Sequence, residues 1–123
     1  ENPFFGIGAG SFTEIFFFNT NFWKGHSHNL LFELSISYGL PATIIFLITT
    51  INILYLSSKK IFSNKIKIDD NYIDRAFWAA LFFFLLSQLA DIQYFDGKIS
   101  LITWILIAGL KNIILDKDYK TVA

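Results

Sequence analysis

Two histidines, His26 and His28, are the only imidazoles in the chain, and they flank Ser27 just ahead of Asn29 and the run LLFELSISY. The Asn29 side-chain oxygen can accept an orphan backbone N–H, so this spacing predicts a short helix from Asn29 to Tyr38 with His28 at its start. The positive end of the helix dipole disfavours a cation there, and a neutral imidazole can serve as a general base. The competing reading is a polar surface turn. Zero cysteines exclude disulfides, thiolate metal sites and cysteine nucleophiles. Two histidines and a few scattered carboxylates supply a closed tetrahedral metal site poorly, so no metal is expected. Gly6, Gly8 and Gly10 alternate beside Phe4, Phe5 and Phe12. They lack the GKS/T ending of a phosphate loop and a surrounding βαβ pattern. A close-packed turn is expected instead, with backbone N–H groups placed to meet an anion. Asp91 and Asp96 lie in the segment DIQYFDGK and could take a cation or a sugar, although solvated loop carboxylates are common.

The elements that must carry these residues are apolar. Of 123 residues, 54% are hydrophobic and 16% charged, beyond the values of about 45–50% and 25% typical of soluble domains. Ten basic residues balance ten acidic ones, without the clustered Lys and Arg that a nucleic-acid backbone requires. The chain has no methionine and reads as the carboxy-terminal piece of a longer protein. Three apolar stretches, about residues 40–56, 76–90 and 99–115, predict an all-α integral membrane fold. In it, residues 1–39 form an outer loop with an interfacial helix, and residues 40–123 form three transmembrane helices. Each stretch is near the short end of the 17–25 residues needed to span, and Tyr38, Tyr55, Tyr72 and Tyr94 stand near their ends, where amphipathic rings favour the headgroup layer. The eight Leu and Phe residues from Phe77 to Leu89 contribute roughly −2 to −5 kcal/mol of insertion free energy. Gly39 suits the end of the short helix and Pro41 the first turn of the next. That helix places Leu30, Leu31 and Leu34 for burial, and Phe16 to Phe18 read as a wedge facing the membrane.

Charge sets the orientation. Lys59, Lys60, Lys65, Lys67 and Arg75 fall in the loop 58–75, and Lys111, Lys117 and Lys120 in the tail. If the stretches alternate, these eight of ten cations share one side, which the positive-inside rule makes cytoplasmic. The histidines and the 91–98 loop then face outward.

The order NPFFGIGAGSF, a spacer, then HSHNLLFELSISYGLPATIIFL resembles the O-antigen ligase and polymerase superfamily. Pro3, Gly6, Gly8, Gly10 and Phe12 match its first block, with His28, Asn29 and Glu33 in the second and Gly39, Leu40 and Pro41 in the third. Phe32 takes the usual leucine place, and Ser37 stands where many members carry an acidic residue. The motifs cover roughly residues 1–56.

The resemblance implies a multi-spanning glycosyltransferase of the cytoplasmic (inner) membrane, with His28 on the periplasmic side. It would move an undecaprenyl-diphosphate-linked glycan onto an acceptor hydroxyl, lipid A–core sugar in a ligase or a growing chain in a polymerase. It also implies His28 as the catalytic base, with His26, Asn29, Glu33, Gly6, Gly8 and Gly10 toward substrate and no cofactor. The arginines that hold the diphosphate in such proteins have no counterpart here, since Arg75 is the sole arginine and falls on the inner side. The remaining helices of the parent protein are therefore expected as partners, and the piece is expected to be inactive alone. Two other classes stay open. A transporter, the label some relatives have carried for bicarbonate, would need ionisable residues along its spans, where the one cation is Lys111 near an end and the other polar groups are Asn52, Gln88 and a few more amides and hydroxyls. A non-catalytic membrane scaffold would leave His28 replaceable.

Overall fold

The computed structural model describes residues 2–63, 66, 71–117 and 119. Five helices follow in order, with no strand among the described residues: α1 (Ser11–Thr20), α2 (Leu30–Tyr38), α3 (Leu40–Ile61), α4 (Tyr72–Ser87) and α5 (Gly97–Leu115). They form two compact units, one of residues up to Ile48 with Leu86–Phe95, the other of Thr49–Leu85 with the chain from Asp96 on.

The first unit is built around α2. Asn29 caps it as its sequence predicts, the side-chain oxygen accepting from the N–H groups of Leu31 at 3.0 Å and Phe32 at 3.3 Å. At the other end Gly39 has φ +86° and ψ 167°, a region that is essentially glycine's alone, and α3 begins at the next residue with Pro41 in its first turn. The Gly-rich segment lies along this end of α2. Ile7 N–H donates to Ile36 O at 2.8 Å, Gly8 N–H to Ser37 O at 3.1 Å, and Leu40 N–H to Pro3 O at 2.8 Å. A β-carbon on Gly6 would sit 2.6 Å from Ser37 and Tyr38 backbone atoms, and one on Gly39 would run into the Phe4 carbonyl. The two glycines thus let two stretches of backbone touch.

The wedge of aromatics is a helix, α1, which packs against α2. It follows Gly10, at φ +80° and without a side-chain cap, and ends on Asn21 at φ +59°. Phe17 and Phe18 are exposed as expected, whereas Phe16 turns partly inward to stack on Phe12 at 5.5 Å. With Pro3, Ile7, Ile15 and Ile36 these two rings line a cavity of about 680 Å³. Leu30 and Leu34 bury against Ile92, with Phe46 and Tyr94 beside them. Leu31 is only half-buried.

In the second unit Ile61, Leu81, Ile107, Leu110 and Tyr119 form the buried hydrophobic cluster. Helix ends are closed by side chains from elsewhere in the unit. Lys60 Nζ donates to the carbonyls of Ile113, Ile114 and Asp116 at 3.1, 2.8 and 2.6 Å, meeting the orphan acceptors and negative dipole end of α5. Asn71, 1% exposed, donates to Ile61 O at 2.6 Å at the end of α3. Arg75 donates to Asn71 Oδ1 at 2.7 Å and lies over the Phe62 ring. Tyr119 O–H donates to Asp74 at 2.7 Å. Burial and that carboxylate push the phenol above its ordinary range.

Along the long helices buried hydroxyls accompany the buried apolar residues, while many large apolar side chains are exposed. Thr50, Ser57 and Thr103 are buried, Ser57 and Thr103 with their hydroxyls donating to carbonyls of their own helix. Ile44, Ile48 and Ile51 of α3 and Leu101, Ile102 and Trp104 of α5 are exposed.

By length and composition α3 and α5 can each cross a membrane. The middle stretch, expected over about residues 76–90, is a helix that begins and ends earlier, at Tyr72 and Ser87. α4 has 16 residues, about 24 Å at 1.5 Å per residue against a hydrocarbon core of about 30 Å. It stops at Ser87 because buried Gln88 leaves the helix. Its side-chain oxygen accepts from Gln93 and Tyr94 N–H at 2.8 and 2.9 Å, and its carbonyl accepts from Leu30 N–H at 2.9 Å.

Candidate functional site

The segment after α4 brings Asp91 to the histidine turn across 63 residues of sequence. His28 Nδ1 lies 3.0 Å from Asp91 Oδ1, and His26 Nε2 lies 3.9 Å from the same oxygen. The two imidazoles meet edge to face with centroids 4.4 Å apart, and His26 Nδ1 accepts from the His28 backbone N–H at 3.2 Å. The three side chains remain accessible, with 36%, 51% and 60% of the His26, His28 and Asp91 side chains exposed. Asp91 Oδ1 also accepts from Ile92 N–H at 2.9 Å. The hydrogen bond to His28 first, and then that backbone bond, hold the Asp91 carboxyl below its ordinary 3.8.

The turn is held from beneath. Glu33 is 4% exposed, and its Oε2 accepts from Ser27 N–H at 2.9 Å, a reach back over the helix start akin to a capping box. Ser27 Oγ donates to Asn29 O at 3.0 Å. Asn29 uses both ends of its amide, the oxygen as cap and the nitrogen as donor to Leu89 O at 2.9 Å. His28 is left at φ +58°, a left-handed conformation costing a residue with a β-carbon about 1–2 kcal/mol. The cap, the Glu33 bond and the Asp91 contact together fix a strained backbone that presents an imidazole.

The arrangement can move a proton. With Asp91 ionised, His28 donates its Nδ1 proton to Oδ1, which leaves the Nε2 lone pair free to accept one. This is the role a carboxylate plays in orienting a catalytic histidine.

The residues expected to form one substrate site divide between the two ends of α2. His26 and His28 gather with Asp91 at its start. Asn29 and Glu33 support that turn, with Glu33 buried rather than presented to a ligand. Gly6 and Gly8 lie at the far end, about 12 Å away along eight helical steps. Their amides, expected to meet an anion, are engaged instead: Gly6 N–H donates to Asn2 O at 2.8 Å and Gly8 N–H to Ser37 O. The physical reason is the close approach noted above, which turns the Gly6–Gly8 backbone onto the end of α2. Gly10 marks the start of α1, where an added β-carbon would meet open space. Asp96 is the cap of α5, accepting from Lys98 and Ile99 N–H, and takes no part in this cluster. No family model, curated protein or solved structure matches this chain.

Proposed function

We propose that the chain is part of a membrane glycan ligase in which His28 is the catalytic base and Asp91 its orienting carboxylate. The observation that carries the reading is the 3.0 Å pairing of His28 Nδ1 with Asp91 on a half-exposed side chain, which leaves Nε2 as the nitrogen to accept a proton. The acceptor hydroxyl gives its proton to Nε2 as its oxygen bonds to the anomeric carbon. The bond from that carbon to the diphosphate oxygen breaks, and undecaprenyl diphosphate leaves. Because the leaving group is good, the protein has chiefly to position the acceptor and take its proton. Lipid A–core is the proposed acceptor.

The membrane reading is supported by the exposed isoleucines, leucines and tryptophan on α3 and α5 and by their buried hydroxyls. In it α4 is a span between α3 and α5, extended by its flanking aromatic residues, and the basic loop faces the cytoplasm, so that His28 is periplasmic in the inner membrane. The apolar cavity between the Gly-rich segment, α1 and α2 suits an isoprenoid chain. Arg75 is engaged with Asn71 and Phe62, so the charges that hold the diphosphate come from the rest of the parent protein.

The test is surface glycan on a gel from a host lacking its own ligase, complemented with the full-length parent gene. Loss of glycan on lipid A with His28→Ala, at normal membrane levels, supports the reading. Single repeat units on lipid A would assign a polymerase instead. Normal glycan would remove the base role and bring the transporter or scaffold class forward.

A further inference from the structure

The histidine turn and Asp91 have a second chemical capacity. Two imidazole nitrogens and a carboxylate oxygen all lie within 4.8 Å of one another. They come from three side chains that remain open to solvent. A closed tetrahedral site needs four protein ligands, but an open one needs three plus water. Two histidines and one carboxylate on one face also make the donor set of divalent first-row transition metals.

We propose that His26, His28 and Asp91 bind one divalent transition-metal ion of the zinc class, and that the bound ion switches off His28 as a base. Metal–ligand distances of about 2.0–2.1 Å place tetrahedral donors about 3.3–3.4 Å apart. The observed separations of 3.0 Å for His28–Asp91 and 3.9 Å for His26–Asp91 lie on either side of that value. Ring movements of the order of 1 Å, within reach of exposed side chains, close the set. The Asp91 carboxylate offsets the positive end of α2, which alone would oppose a cation.

Proton bookkeeping gives the regulatory half, which rests on the reading of His28 as a base. On that reading His28 carries its proton on Nδ1, toward Asp91, and Nε2 is the basic nitrogen. A metal ion at Nδ1 takes that place, so the neutral ring carries its proton on Nε2 and can accept no other. His26 changes tautomer in the same way. It exchanges its 3.2 Å contact with the His28 N–H for a metal bond through Nε2. No net proton is released, and the turn holds either a base or a metal.

The experiment uses the full-length parent protein in detergent, titrated with Zn²⁺ against a chromophoric chelator and with Co²⁺ read by its visible absorption. Transfer is assayed in parallel, with each variant normalised to its own rate without metal. One equivalent bound by wild type is expected, with affinity weakened at least about tenfold in His26→Gln, His28→Gln and Asp91→Asn, since even the outer partners of metal ligands are worth 10–100-fold. Zinc inhibition should move to correspondingly higher concentration in His26→Gln. The proposal is overturned if neither ion binds, or if binding is equal in wild type and all three variants. Metal binding without any transfer activity in wild type would defeat the ligase reading and leave the metal site standing. Transfer insensitive to bound zinc would defeat the regulatory half.

Discussion

Alanine at three glycines separates a packing joint from an anion site. Gly39→Ala forces a β-carbon into a region at φ +86°, ψ 167°, at a cost of about 1–3 kcal/mol. It also pushes Phe4 away, breaking the Leu40 N–H to Pro3 O bond at about 0.5–1.5 kcal/mol. Gly6→Ala meets Ser37 and Tyr38 backbone at 2.6 Å, and relief breaks the Ile7 and Gly8 bonds at a similar cost each, beyond about 1–2 kcal/mol for its left-handed φ. Gly10→Ala carries the conformational cost alone, because no atom lies within 4 Å of its added carbon. Against a total stability of about 5–15 kcal/mol, losses of about 2–4 kcal/mol lower the melting temperature by about 4–16 °C. The assay is thermal unfolding of the purified full-length parent, followed by tryptophan fluorescence. Gly39→Ala and Gly6→Ala should fall well below Gly10→Ala. Equal losses at all three would refute the reasoning, and so would a Gly6→Ala protein of normal stability that has lost transfer, since that is how an anion site behaves.

Other outcomes follow from the same contacts. Glu33→Ala leaves the Ser27 N–H without its acceptor and should cost about 1–3 kcal/mol, with Glu33→Gln closer to wild type; both are read by the same melts. The Asp91 carboxyl titrates below its ordinary 3.8. Its contribution to stability is therefore present above that value and lost as pH falls through the lowered folded one. The side-chain carboxyl carbon shift of labelled protein should show this midpoint, and His28→Ala should raise it. Ser37 Oγ is buried with no hydrogen-bond partner among the described residues, so Ser37→Ala should be neutral or stabilising in denaturant titrations. In a cysteine-free parent, Phe22→Cys should react with an impermeant maleimide added to whole spheroplasts, and Lys59→Cys only after lysis; the reverse pattern would overturn the orientation.

Local chemistry made α2 legible, because Asn29 and Gly39 write its two ends and Pro41 starts the next helix. α1 was not legible. It opens on a glycine rather than a capping side chain, and FFF gives no period that separates a helix from a wedge. The end of α4 was hidden because Gln88 looks like a polar interruption of an apolar run, whereas its amide organises the segment that carries Asp91. Both histidines were visible as candidates. Their carboxylate was visible only as one of two solvated aspartates, since nothing in local spacing reports a contact across 63 residues. The Gly-rich motif was recognised, but its amides were assigned to a ligand when the chain itself takes those of Gly6 and Gly8.

The most direct measurement is the rate of glycan transfer by the purified full-length parent carrying His28→Ala, with and without added imidazole. A positioned base contributes about 10²–10⁴-fold, so a loss of that size with partial recovery in imidazole is predicted. A His28→Ala protein that transfers at the wild-type rate would contradict the account.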